Sequence, residues 1–385
     1  MMISGRAGYH GKEPPRVLQI QVSRYARGLP RKGEPLQFLV AMHVEGTATT
    51  WQRNATLAPT VEADLLEYID GLRRWSAGLG LTPSSAAEAV HSVGATLRDV
   101  FLGGDGAELI RSMQPSAILW CIDETVIHLP WEMAIGADDA PLLLTPLGRV
   151  VATRITPQPG RDLTSEVETV RILAIENPTE DLAASERVLA LINGLGTAAG
   201  AGGPVEVVTL SRDEATSAGV AAAMKNQDFD IVHFAGHGLF DVKKPGDVSL
   251  VLADGAFDDE AVLSLEWSRP PFVVVNSSCE SGRAAPGRRI VTAGKASNGL
   301  AAAFLSRGVE AYLGHYFLVP DQSAADFAET FYTTLFGARN VGTAVQEART
   351  RLLASFHSAV DLTAFGATFF GDAGTAERRD LATAS

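Results

Sequence analysis

A histidine and a cysteine each follow an apolar run of the sequence, and their side chains could act together as a nucleophilic pair. His237 comes after the segment Asp230–Phe234, and Cys279 comes after Phe272–Asn276. In parallel α/β sheets, catalytic groups gather beyond the carboxyl ends of the strands. If the two strands are neighbours, the imidazole can take the proton of the thiol and later return it to a leaving amine. The pattern therefore predicts a His237–Cys279 catalytic dyad.

Small and acidic residues around this pair suggest how a substrate would be held. Gly236 and Gly238 flank the histidine and leave the backbone open to close approach. The backbone N–H groups of Gly238 and Cys279 are predicted to form an oxyanion hole for the tetrahedral intermediate of acyl transfer. Glu280 and Asp321 are candidate substrate-binding residues, because either carboxylate could pair with a basic side chain. Solvation at the surface is the alternative interpretation of both.

The neighbouring histidine and the second cysteine favour structural roles. His233 lies inside the same apolar strand as the dyad histidine, and Cys121 lies in another apolar run, so we expect both in the core. A zinc site that includes both histidines is disfavoured, because an HxxxH spacing on a strand does not give ligand geometry. The glycine-rich motifs match neither a phosphate-binding loop nor a dinucleotide fingerprint. The sequence therefore predicts no metal and no cofactor.

Short apolar runs alternate with helical stretches from residue 116 onward, and this alternation predicts an α/β fold with a mostly parallel central sheet and helices on both faces. The strands are predicted at Ala117–Ile122, Arg171–Ile175, Val205–Leu210, Asp230–Phe234, Ser249–Leu252, Phe272–Asn276 and Val309–Leu313. Residues 1–115 are predicted to be a small N-terminal α+β region, with strands at Val17–Val22 and Leu36–Val44. The main domain is placed at 116–375, and 376–385 is expected to be a disordered tail.

The charge balance and the cysteine count restrict the partners and the compartment. The chain has 385 residues, of which 32 are basic and 45 are acidic, so the formal net charge is −13. An acidic protein lacks the basic surface that phosphate backbones require, so nucleic acid is not expected as a partner. No run approaches the ~18 apolar residues of a membrane span. Two cysteines imply no disulfide framework, which favours a reducing, cytoplasmic location.

The segments HFAGHG and NSSCESG, in this order, resemble the CHAT family of caspase-like bacterial proteases, which are often fused to TPR repeats. Pro130–Glu132 and Glu347–Arg349 agree with it, and the resemblance spans about Ala117 to Gly371. It implies a caspase-like fold and a catalytic dyad at His237 and Cys279. It also implies a protein substrate and a role in bacterial cell death or anti-phage defence. The chain shows no TPR repeats, so a protein regulator is expected to act in trans.

The sequence thus favours a cysteine endopeptidase, with two alternatives. The first alternative is a catalytically silent adaptor or binding module that keeps the fold and needs no nucleophile. The second is hydrolysis or acyl transfer on a non-peptide amide, which would use the same dyad. The residue pattern leaves the preferred substrate side chain and the oligomeric state open.

Overall fold

The computed structural model of the chain describes residues 16–25, 33–136, 145–151, 160, 169–195, 205–240, 248–283, 299–338, 340–355 and 361–374. The expected disordered tail at 376–385 lies outside these ranges. The strands in chain order are β1 (Val17–Arg24), β2 (Leu36–Val44), β3 (Thr50–Leu57), β4 (Ala117–Ile122), β5 (Leu147–Val151), β6 (Val170–Glu176), β7 (Val205–Ser211), β8 (Ile231–Ala235), β9 (Gly238–Phe240), β10 (Val248–Leu252), β11 (Gly255–Phe257), β12 (Val273–Asn276), β13 (Ala311–His315) and β14 (Ala367–Phe370).

An eleven-stranded sheet runs through the described residues in the order β3-β2-β1-β4-β5-β14-β13-β12-β8-β6-β7. Seven of its ten neighbouring pairs are parallel, which confirms a mostly parallel sheet. The antiparallel pairs are β1 with β2, β2 with β3, and β13 with β14. Strands β3, β5 and β14 were not expected from the sequence. Two of them, β5 and β14, have only five and four residues, too few for a clear periodic signal.

Helices cover both faces of the sheet, as the sequence predicts. They are α1 (Pro59–Ser76), α2 (Pro83–Leu97), α3 (Gly103–Met113), α4 (Met133–Gly136), α5 (Ser185–Leu195), α6 (Ser217–Asn226), α7 (Asp259–Ser264), α8 (Leu300–Ser306), α9 (Asp321–Ala338), α10 (Val341–Ser355) and α11 (Thr363–Gly366). On β12, Val273 and Val275 pack with α5, α9 and α10, whereas Val274 packs with α6, α7 and α8. This alternation follows from the two-residue period of a strand and buries both sheet faces. No helix of the described residues has the length and apolarity to cross a membrane.

The expected strand at Ser249–Leu252 does not belong to the central sheet, so that assignment was wrong. It forms β10 of a separate antiparallel sheet with the order β11-β10-β9. The turn between β10 and β11 is only two residues long, and such a connection joins antiparallel partners rather than parallel ones. The small sheet matters for the site, because β9 begins at Gly238 and the N–H of Val251 donates to the carbonyl oxygen of His237 (2.9 Å).

The N-terminal strands extend the central sheet. Strand β1 pairs in parallel with β4 from Val17 opposite Ala117 to Val22 opposite Ile122, and β2 and β3 continue the sheet outward. Their buried side chains share one apolar cluster with α1, α2 and the segment that follows β13, which includes Phe317. Residues before position 116 therefore pack directly against the loops that follow the strands of the main domain.

Candidate catalytic site

The two strands that precede His237 and Cys279 are direct neighbours, as the dyad requires. Strands β8 and β12 pair in parallel, with Asn276 opposite Phe234 at their carboxyl ends. His237 lies two residues beyond the end of β8, and Cys279 lies three residues beyond the end of β12. Both residues therefore follow the same edge of the sheet, which is where α/β proteins place their ligands.

The two loops touch at Gly238. A Cβ atom at this position would lie 2.2 Å from the carbonyl oxygen of Cys279 and 3.0 Å from Ser278 Oγ. The contact with the carbonyl oxygen cannot accommodate a side chain without movement of the backbone. The N–H of Ser277 also donates to the carbonyl oxygen of Phe234 (2.9 Å), which joins the loops where they leave the sheet. Glycine is therefore required at position 238 for close packing rather than for an unusual φ.

A network of buried polar groups shapes the cysteine loop. Asn276 Oδ1 accepts from the N–H (3.0 Å) and the hydroxyl (2.6 Å) of Ser278, and Asn276 Nδ2 donates to Tyr312 Oη (2.9 Å). Tyr312 donates in turn to the carbonyl oxygen of Ser281 (3.0 Å), whose hydroxyl donates to the carbonyl oxygen of Ser278 (2.7 Å). The sequence analysis gave these residues no role. Such satisfied buried networks rigidify a loop, so this one holds the backbone on both sides of Cys279.

The thiol of Cys279 lies against the segment that follows β13. The N–H of Val319 donates to Sγ at 3.3 Å, and Sγ lies 3.8 Å from the carbonyl oxygen of the same residue. Burial raises the pKa of the Cys279 thiol, the Val319 N–H opposes this shift, and the nearby charge of Glu280 adds to it. The thiol is therefore protonated at neutral pH in this arrangement.

His237 is oriented by an acidic residue that the sequence analysis did not identify. Its Nε2 donates to Asp181 Oδ1 at 2.9 Å, and the imidazole is 38% exposed. An ionised carboxylate only accepts, so the neutral imidazole carries its proton on Nε2 and leaves Nδ1 as an acceptor. Hydrogen bonds from Thr179 and then from His237 lower the pKa of Asp181. The arrangement matches a base whose tautomer is set by a third group.

The loop that carries Asp181 is attached to the histidine strand. The N–H of Asn177, a residue with a φ of 44°, donates to the carbonyl oxygen of Ala235 (2.7 Å). Asn177 Oδ1 then accepts from the N–H groups of Asp181 (3.1 Å) and Leu182 (3.2 Å). Since this loop follows β6, the other neighbour of β8, a search of all adjacent strand ends for carboxylates would have found Asp181.

The side chains of the candidate dyad residues, His237 and Cys279, contact different partners. His237 bonds to Asp181 and the thiol of Cys279 contacts Val319, and no hydrogen bond between the dyad side chains occurs in the described structure. The backbone N–H of Cys279 lies beside its own sulfur and lowers the pKa of the thiol slightly. The oxyanion hole of Gly238 and Cys279 stays a prediction.

The two acidic candidates for substrate binding are already engaged within the protein. Glu280 is 4% exposed, and its Oε1 accepts from Arg73 Nε (2.7 Å) and Arg283 Nη1 (2.8 Å). Asp321 begins α9, and its Oδ2 accepts from the N–H of Ala184 (2.8 Å). Their role in substrate binding stays a prediction. A search of the described residues for three or more histidine, cysteine or acidic side chains that could hold a metal finds no such group.

The remaining candidates lie in the interior or at its margin. His233 is buried, its Nδ1 pairs with Tyr332 Oη at 3.0 Å, and burial lowers its pKa to about 4. This agrees with the expected core position. Cys121 is half-buried in β4, and burial followed by the charge of Asp372 raises the pKa of its thiol. Neither residue forms a hydrogen bond with the dyad.

The comparisons with known proteins place this site in a family. The family model for the CHAT domain matches residues 88–368. No curated protein matches the chain. Among solved structures, Saccharomyces cerevisiae separase in its complex with securin is similar with a TM-score of 0.58 and 11% identity, over 92% of this chain and 30% of the separase chain. A second crystal structure of that complex gives a TM-score of 0.53 and 12% identity, with the same coverage of both chains.

The Arg-specific cysteine proteinase gingipain R gives a TM-score of 0.49 and 12% identity, over 84% of this chain and 77% of its own. At 11% identity the likeness to separase shows the fold alone. It confirms the expected caspase-like α/β fold with its mostly parallel sheet. The chain spans under a third of the separase chain, as the 30% coverage states.

Proposed function

Because the chain belongs to the CHAT domain family, whose model matches residues 88–368, we propose that it is a cysteine endopeptidase with His237 and Cys279 as its catalytic dyad. The observation that carries the proposal is the contact of the two loops. Strands β8 and β12 are parallel neighbours, and Gly238 packs against the carbonyl oxygen of Cys279. A cysteine and a histidine on touching loops at the carboxyl edge of a sheet support the proposal of a nucleophile and its base.

The proposed reaction proceeds in two acyl-transfer steps. The thiol proton of Cys279 passes to His237 Nδ1, and the sulfur attacks the peptide carbonyl carbon while the carbonyl electrons move to oxygen. The N–H groups of Gly238 and Cys279 bind this oxyanion. The protonated imidazole then donates to the leaving amine as the C–N bond breaks, which leaves a thioester. A water molecule gives its proton to Nδ1 and adds as hydroxide, and the thiolate leaves and is protonated again.

Asp181 supports this cycle by accepting from Nε2. The bond keeps Nδ1 free to receive the thiol proton, and the carboxylate stabilises the imidazolium that forms. For the attack, the thiol of Cys279 has to leave Val319 and turn toward the imidazole. The described arrangement is therefore a resting form in our proposal, and substrate or a partner would bring the dyad together.

We propose a protein as the substrate and a second protein as a regulator in trans, within a bacterial cell-death or anti-phage pathway in the cytoplasm. Separase, which shares the fold, has been solved with securin as a bound protein. The two free cysteines fit a reducing compartment. Residues 116–375 would carry the chemistry, and residues 1–115 would serve as a regulatory or docking part. The family match itself begins inside the latter, at residue 88.

A substrate profile of the purified chain tests the peptidase proposal. The protein and its Cys279→Ala variant are incubated with a peptide library, and the cleaved bonds are read by mass spectrometry. Cys121→Ala is the matched control, because it removes the other thiol. We expect cleavage by the wild type and by Cys121→Ala, and none by Cys279→Ala.

Cleavage that persists in Cys279→Ala would refute the nucleophile. The reactivity of Cys279 toward iodoacetamide is measured between about pH 6 and pH 9, a range that brackets the ordinary thiol pKa of ~8.5. If no form of the protein cleaves the library and Cys279 does not react, the adaptor alternative is favoured. An intact library with a reactive Cys279 would favour a non-peptide amide as the substrate. Cleavage that depends on Cys279 therefore supports the peptidase, and the two intact-library results separate the two alternatives.

A further inference from the structure

The residue after the proposed nucleophile is bonded to a helix that precedes the family match. Arg73 lies in α1 (Pro59–Ser76), before the matched segment begins at residue 88. Its Nε donates to Glu280 Oε1 at 2.7 Å, across 207 positions of sequence. The side chain of Arg73 is 28% exposed, whereas that of Glu280 is 6% exposed. A charge-assisted bond at this degree of burial is stronger than an ordinary surface ion pair.

Glu280 adopts a backbone conformation that needs such support. Its φ is 55°, in the left-handed region that residues other than glycine rarely occupy. Its N–H donates to the carbonyl oxygen of Phe317 (3.2 Å). A change in the Glu280 backbone would turn the adjoining peptide of Cys279. The contacts of the Glu280 carboxylate therefore bear on the direction of the thiol.

The charges around this carboxylate come from two parts of the chain. Arg73 approaches from α1, and Arg283 Nη1 donates to the same oxygen at 2.8 Å from the cysteine loop itself. The Arg283 guanidinium lies 5.1 Å from the ring centre of Tyr316. Burial is the largest cause of the raised pKa of the Cys279 thiol and of Tyr316, and the Glu280 charge adds to the shift of both. The two guanidinium groups oppose that negative charge, and loss of Arg73 would remove one of them.

We propose that Arg73 is a positioning residue of the catalytic site, which holds Glu280 and thereby sets the conformation of the Cys279 loop. The inference rests on the proposed peptidase function and deepens it. It makes the N-terminal helix α1 part of the catalytic apparatus rather than an appendage. It also provides a physical route by which a protein bound at α1 can change the reactivity of the nucleophile.

The test measures the thiol directly and does not need a known substrate. In a Cys121→Ala background, the rate of iodoacetamide modification of Cys279 is followed from about pH 6 to pH 10, around the ordinary thiol pKa of ~8.5. The variant Arg73→Gln is compared with the control Arg74→Gln, which removes a positive charge from the next residue of α1. Arg74 pairs with Asp70 at the surface. Arg283, Tyr316 and His237 are left unchanged.

We expect Arg73→Gln to slow the modification about three- to tenfold near pH 7.5 and to move the profile to higher pH, because the Glu280 charge is less balanced. Arg73→Lys should restore part of the rate, and Arg74→Gln should match the parent. In a Glu280→Gln background, Arg73→Gln should have no further effect on the profile. Once a cleaved peptide is known, Arg73→Gln should lower kcat while KM changes little.

An unchanged profile in folded Arg73→Gln would overturn the proposal. An equal effect of Arg73→Gln in the Glu280→Gln background would do so as well, because Arg73 would then act by another route. If Arg73→Gln does not fold, the comparison of Arg73→Lys with the parent decides, and an identical profile would again refute the idea. Failure of the peptidase proposal would be distinguishable from this. The peptide library would stay intact, while Arg73→Gln would still slow the iodoacetamide modification of Cys279 as expected.

Discussion

Replacing Gly238 with alanine is the sharpest test of the site geometry. The added Cβ would meet the carbonyl oxygen of Cys279 at 2.2 Å, whereas ordinary contact begins near 3.4 Å. The obstacle is backbone rather than a flexible side chain, so the two loops have to separate by roughly 1 Å. A displacement of about 1 Å at a catalytic pair costs on the order of 10²-fold in rate. Forcing a methyl group into a packed contact also costs about 1–3 kcal/mol of unfolding free energy.

We therefore expect Gly238→Ala to fold with reduced stability and to lose about 99% of its activity on a cleaved peptide. The assay is kcat/KM together with urea denaturation of the same preparation. Gly337→Ala is the control, since a Cβ there meets no atom within 4 Å and alanine favours the helix α9. Activity of folded Gly238→Ala within twofold of the wild type would refute the argument that the touching loops set the geometry of the dyad.

Two further predictions concern the orienting carboxylate and a buried histidine. Asp181→Asn should lower kcat about two- to fivefold with KM almost unchanged, because Asp181 is exposed and its ion pair with His237 is modest. Asp213→Asn, on an exposed turn, is the control. An equal loss of kcat in both variants would refute the orienting role of Asp181. Burial lowers the pKa of His233 to about 4, so the unfolded chain binds the proton first as the pH falls through about 6.5. Stability should therefore be full above pH 6.5 and fall below it, by about 2 kcal/mol between pH 6.5 and pH 5 for this one group. Urea denaturation at both pH values should show a smaller difference for His233→Gln, and an equal difference would contradict the assignment.

The sequence by itself predicted the central α/β pattern, which the structure confirms, and a dyad of His237 and Cys279, which stays a prediction. Uninterrupted apolar runs such as Val273–Asn276 can only be buried on both faces, which requires a parallel sheet covered by helices. Two such runs followed by a histidine and a cysteine predict a site at the carboxyl edge of the sheet. Burial of His233 also followed from its position within a strand. These inferences depend on local periodicity, which the sequence displays directly.

Tertiary structure alone decided which distant segments meet. The apolar run of β10 looks the same whether it joins the central sheet or a small hairpin sheet, and only its partners β9 and β11 separate the two. The same holds for charges. The sequence places Asp181 after a strand end, but neither Asp181 nor Arg73 carries a local signal that names its partner, His237 or Glu280. Such pairings arise from packing between residues far apart in the chain, and in our proposal they set the reactivity of Cys279.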